Sequence, residues 1–99
     1  MKYVLSWTVT GNRTEETQAR GFQVLSKWQP AEGVTFHQFL STVDGRGGFA
    51  FVETDNPSLI ARDTAIFAPW LDFQLTPVID ITEFAQVAAD AIGFRQSIE

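Results

Sequence analysis

The chain has 99 residues, enough to bury one core and too few for two, so a single α+β-sized domain over residues 1–99 is expected. Hydrophobic residues at 44% and charged residues at 19% are ordinary globular usage, which excludes a disordered chain, and zero cysteines exclude thiol nucleophiles, thiolate zinc sites and disulfide chemistry. Twelve Asp and Glu outnumber seven Lys and Arg, and the basic residues are scattered as Lys2, Arg13, Arg20, Lys27, Arg46, Arg62 and Arg95, with no run able to track phosphates, so no nucleic-acid partner is expected.

Tyr3 to Val9 alternates Tyr3, Leu5, Trp7 and Val9 against Val4, Ser6 and Thr8, the period of a strand. Asn12, with Glu15 three residues on, predicts a helix cap, and Ala19, Phe22, Leu25 and Trp28 then recur at helical spacing, giving a helix to about Lys27. Val34 to Val43 and Gly48 to Thr54 read as two strands joined by an Asp44-Gly45 hairpin turn. Asn56-Pro57 opens a second helix that Pro69 closes. Asp72 to Ile79 is a fourth strand, and Pro77 places it at a sheet edge, where its missing N–H breaks no ladder. Asp80 and Glu83 have the spacing of a capping box ahead of Phe84, Val87, Ala88 and Ala91, a short C-terminal amphipathic helix. No stretch approaches the roughly 20 apolar residues of a membrane span, and Met1-Lys2-Tyr3 leads directly into a strand without the layout of a signal peptide, so no membrane partner and a cytoplasmic location are expected.

The order β-α-β-β-α-β plus a trailing helix predicts a ferredoxin-like α+β protomer: a four-stranded antiparallel sheet with both main helices on one face. With an even hairpin loop, Phe36, Leu40, Phe49 and Phe51 share one face, and His37, Phe39, Val43, Ala50 and Val52 the other, so both faces are apolar. An interface hiding roughly 800 Å² per partner is worth on the order of 25 kcal/mol gross, against about 4 to 15 kcal/mol for association. A homodimer through the helix-free face, forming a dimeric α+β barrel, is therefore expected. The alternative is that the C-terminal helix folds back over its own sheet.

His37 is the only histidine, without a second His or a carboxylate at ligand spacing, so no metal site is expected. It is a candidate acid or base, or a ring caught in the building of the sheet. Asp63 falls within the apolar arc of Leu59, Ile60, Ile66 and Phe67, where a lone carboxylate is expensive to bury. It needs Arg62, Arg46 or His37 as a partner, or a place at the sheet's rim in reach of water, and it is the second catalytic candidate. Trp7 and Trp70, with indole N–H groups that seek acceptors, join His37 and Asp63 as candidate ligand-pocket residues. Ser6 and Ser41 lack a nucleophile-elbow setting, and the glycine-rich turn opens no helix, so neither carries chemistry.

The segments "SWTV", "DGRGGFAFVET" and "APWLDFQLTPVID" resemble a family of short, uncharacterised, mostly bacterial proteins of the dimeric α+β barrel superfamily. Trp7, Trp70, Gly47-Gly48 and Thr76-Pro77-Val78 carry the resemblance, which spans nearly the whole chain. It implies a ferredoxin-like protomer whose sheets pair into a barrel. The superfamily includes cofactor-independent monooxygenases, lactone isomerases, haem-handling enzymes and ligand-binding regulatory modules; the haem reading would need His37 as its axial ligand.

Two functions follow. The first is a homodimeric binding or interaction domain, without a catalytic motif or cofactor, that takes a small apolar or aromatic ligand between helices and sheet. The alternative is a cofactor-independent monooxygenase- or isomerase-like enzyme acting on a small aromatic or enolisable substrate, with His37 or Asp63 moving a proton and Trp7, Trp70 and the phenylalanines providing a dry pocket.

Overall fold

The computed structural model describes residues 1–11 and 13–98. The elements are β1 (Lys2–Val9), α1 (Glu15–Lys27), β2 (Thr35–Ser41), β3 (Gly47–Glu53), α2 (Ser58–Phe67), β4 (Leu71–Val78) and α3 (Ile81–Ser97). The strands form one antiparallel sheet in the order β2-β3-β1-β4, the ferredoxin-like α+β arrangement. β4 with its Pro77 is an edge strand, as the missing donor requires.

Capping differs from expectation at two of three helices. Asn12 lies outside the described residues; the N-cap of α1 is Thr14, whose Oγ1 accepts from Thr17 N at 3.1 Å while Thr17 Oγ1 accepts from Thr14 N at 3.1 Å. At α2 the Asn56 Oδ1 accepts from Ser58 N at 3.1 Å, and Pro57 presents an αR backbone to the first turn. Asp80 is the N-cap of α3, but no capping bond forms, because its carboxylate turns to Lys2 Nζ at 3.3 Å.

The core lies between the sheet and the helices and centres on Tyr3, Leu5, Ala50, Val52 and Ile60. The glycine pair at the start of β3 is dictated by the first strand: a Cβ on Gly47 would strike the Trp7 carbonyl, and one on Gly48 would overlap the Trp7 indole and the Leu40 carbonyl.

A bulge in β2 corrects the expected division of faces. Phe36 pairs with Val52 but Gln38 pairs with Phe51, so His37 is the extra residue. Leu40, Phe49 and Phe51 share one face as expected, and it is the helix-free one; Phe39, Ala50 and Val52 share the helix face, while Val43 lies beyond the strand, in the turn. The bulge carries Phe36 to the helix face and sends His37 to Glu53, on the strand parity of Phe49 and Phe51. The helix-free face is also less uniform than expected. Its β2–β3 half bears Leu40, Phe49 and Phe51, exposed by 49%, 49% and 45%, and its β1–β4 half is mainly polar, with Ser6, Thr8, Asp72, Gln74 and Thr76 beside the half-buried Val4 and Val78.

α3 is not the short helix expected but the longest, with 17 residues. Every residue of it is exposed except half-buried Ala88, so it does not fold back over its own sheet. The radius of gyration, 18.1 Å, exceeds the roughly 13 Å of a compact chain this long, and the longest dimension is 64 Å. The excess is this projecting arm, which exposes Ile81, Phe84, Val87, Ile92 and Phe94.

Candidate functional site

Where α1 and α2 cross the sheet they leave a cavity of about 480 Å³, within the range of small-molecule sites. Its walls are aromatic because the strand register directs Trp7 of β1 and Phe73 of β4 to the helix side, the bulge in β2 brings Phe36 there beside Phe39, and Trp28 and Phe67 meet them. The rings form one connected set. Trp7 meets Phe39 edge-on at 5.3 Å and Phe73 at 6.4 Å. Phe36 and Phe39 stack at 5.5 Å, and Trp28 stands edge-on to Phe36, Phe39 and Phe67 at 5.5, 5.9 and 5.5 Å. On the α1 side, Gly21 brings its backbone to the Trp70 ring, where an added Cβ would sit in ordinary contact at 3.8 Å.

Asp63 also lines the cavity, but it is buried, at 3% exposure, which overturns the reading of a rim carboxylate reaching water. Its Oδ1 accepts from Trp28 Nε1 at 3.2 Å and from Arg62 at 3.4 Å, and its Oδ2 accepts from Ala31 N at 3.2 Å. Of the expected partners Arg62 is present, while Arg46 turns to Asp44 and His37 to Glu53. Asp63 thus ties α2 to the chain entering β2 and fixes the Trp28 ring; both of its oxygens are engaged in holding the fold.

His37 is outside the cavity. Its Nε2–H donates to Glu53 Oε1 at 2.9 Å, with both side chains about half exposed. That hydrogen bond is the main cause holding the Glu53 carboxyl below its ordinary range, against a smaller desolvation effect. Because the folded value is depressed, the pair stabilises above the unfolded Glu value of about 4.3 and its contribution fades as pH falls through the folded value. His37→Ala is expected to return the Glu53 carboxyl to its ordinary range in an NMR titration. An unmoved titration would show that the imidazole is not the cause.

The cavity opens at the end of the sheet where β1 finishes, the β2–β3 hairpin turns and β4 begins. Thr10, Arg13, Gln18, Ser41 and Asp44 supply its polar rim. Asp44 is committed to its own loop: Oδ1 accepts from Thr42 Oγ1 at 2.7 Å and Arg46 N at 3.1 Å, and these bonds, Thr42 first, lower its pKa.

Of the residues singled out from sequence, Trp7, Asp63 and Trp70 therefore converge on one cavity and His37 does not. Phe36, Phe39 and Phe67 were foreseen only as a class, the phenylalanines of a dry pocket, and Trp28 and Arg13 were not foreseen in it. The helical spacing of Trp28 and the position of Arg13 just before a helix were legible signals; the placement of Phe36 was not, since it depends on the bulge. Among the described residues no group of His, Asp or Glu is placed to hold a metal ion, and no helix is long and apolar enough to cross a membrane.

The chain belongs to the family described as a domain of unknown function, DUF3303, which matches residues 1–92. No curated protein matches it.

Proposed function

We propose that this DUF3303 domain is a small-molecule-binding module that takes an apolar or aromatic ligand into the cavity between α1, α2 and the sheet. The observation that carries the reading is the 480 Å³ space walled by connected aromatic rings. The acid–base enzyme foreseen as the alternative receives less support: Asp63 has both oxygens engaged, and His37 lies outside. A neutral naphthyl probe, naphthalenemethanol, is expected to bind at one site and to quench tryptophan emission, since Trp7, Trp28 and Trp70 all face the space. Gly21→Leu supplies the matching loss of function. Its Cβ fits against Trp70, the rest of the side chain takes up cavity space that the ligand would need, and leaving glycine raises helix propensity. Binding should disappear without a fall in melting temperature. An absence of probe binding to the unaltered protein, or unchanged binding to the Gly21→Leu variant, would refute the proposal.

The proposed working unit is a homodimer of the dimeric α+β barrel kind, joined through the helix-free face. Leu40, Phe49 and Phe51 form its apolar half, and the projecting α3, about 25 Å long at 1.5 Å per residue, offers further apolar surface. Phe84, Val87, Ala91 and Phe94 recur at spacings of three and four along one stripe of that helix. Neither surface is satisfied by the chain's own elements, and a second copy supplies the counterpart of both: the sheets meet over their β2–β3 halves and each α3 lies along the partner. The polar β1–β4 half remains toward solvent.

A further inference from the structure

Resting on the binding reading above, we propose that the ligand carries a carboxylate, and that Arg13 at the cavity mouth anchors it while the aromatic walls take its apolar body. The charged groups in the lining are Arg13, Asp44 and Asp63. Two of them are engaged. Asp63 is buried at the inner end and bonded to Trp28, Ala31 and Arg62. Asp44 is bonded to Thr42 and to the Arg46 backbone, with the Arg46 guanidinium at 3.9 Å. Arg13 is the lining cation; it makes no salt bridge among the described residues, and it acts on Asp44 only at a distance, as the smallest of the causes that lower that carboxyl. It is exposed, and Gln18, another exposed residue of the lining, brings a neutral amide donor to the same cavity. A guanidinium presents paired N–H donors whose geometry matches a carboxylate. An aromatic ring with a carboxylate at one end therefore satisfies wall and rim together. Asp44 defines the competing chemistry, a ligand bearing an ammonium group, and its oxygens are already used within the hairpin.

Three probes with one naphthyl body separate these cases: naphthoate, naphthalenemethanol and naphthylmethylammonium, titrated at low salt by tryptophan quenching. Naphthoate is expected to bind about tenfold tighter than the alcohol, as a charge-assisted hydrogen bond provides. Arg13→Gln should remove the advantage of naphthoate and bring the two to near equality. Equal binding of naphthoate and alcohol to the unaltered protein, tightest binding of the ammonium probe, or an advantage of naphthoate that survives Arg13→Gln would each overturn the carboxylate assignment and leave the cavity reading standing. Failure of all three probes to bind would bring down both.

Discussion

Asp63→Ala is expected to cost about 3 kcal/mol of stability, the sum of leaving the part-buried Trp28 indole N–H and the buried Ala31 N–H without their acceptor. For a domain of this size that lowers the melting temperature by roughly 10–20 °C. Asp63→Asn keeps one oxygen as acceptor but turns an amide N–H₂ group on a neighbouring donor, so a loss of about half that size is expected. The near-UV circular dichroism signal should fall in step, because the Trp28 ring that Asp63 holds is edge-on to three phenylalanines. A cost below about 1 kcal/mol for Asp63→Ala, comparable to an ordinary surface change, would show that the carboxyl is no staple. It would also return Asp63 to consideration as a group free to act on a ligand.

The second large effect concerns assembly. Sedimentation at micromolar concentration is expected to give twice the 11.1 kDa chain mass. Replacing Phe49 and Phe51 together by Ser should dissociate it. Each ring is about half exposed in the protomer, so its burial in a dimer is worth about 1 kcal/mol, and four rings per dimer amount to roughly a thousandfold in the dissociation constant. Because neither side chain faces the core, the monomeric variant should keep its circular dichroism spectrum. Deleting the chain from Ile81 onward tests the arm separately, with weaker dimerisation expected. A monomer in the unaltered protein would remove the proposed interface; a dimer indifferent to the two phenylalanines would move it elsewhere.

Much of the protein was legible in its residues, and the exceptions share a physical cause. Strand and helix order followed from periods and breakers, which are local properties of the chain: the alternation in β1, Asp44-Gly45, Asn56-Pro57 and Pro77 each act within a few residues. The inserted residue at His37 is set by how two strands register against each other, and no local pattern announces it. It moved Phe36 onto the cavity wall and His37 away from it. Asp63 was legible as an oddity on an apolar arc, but its satisfaction by an indole 35 positions earlier needs the folded chain. For α3 the onset at Asp80 was clear, and its length was underestimated because the apolar stripe continues past Ala91 through Phe94. Arg13 illustrates the opposite limit. Its type and position were plain, while its place beside a cavity arises only when the first helix is laid across the sheet.

The displaced residue in β2 has a counterpart across the molecule. β2 and β4 are the two outer strands, and each interrupts the regular row of N–H and C=O groups that would template another chain: one through the irregularity at His37, the other through the donorless Pro77. Lateral growth, the route by which flat ribbons recruit further copies into fibrils, is thereby blocked at both margins. The sheet's broad face and the projecting α3, the surfaces of the proposed dimer, lie away from both of these margins.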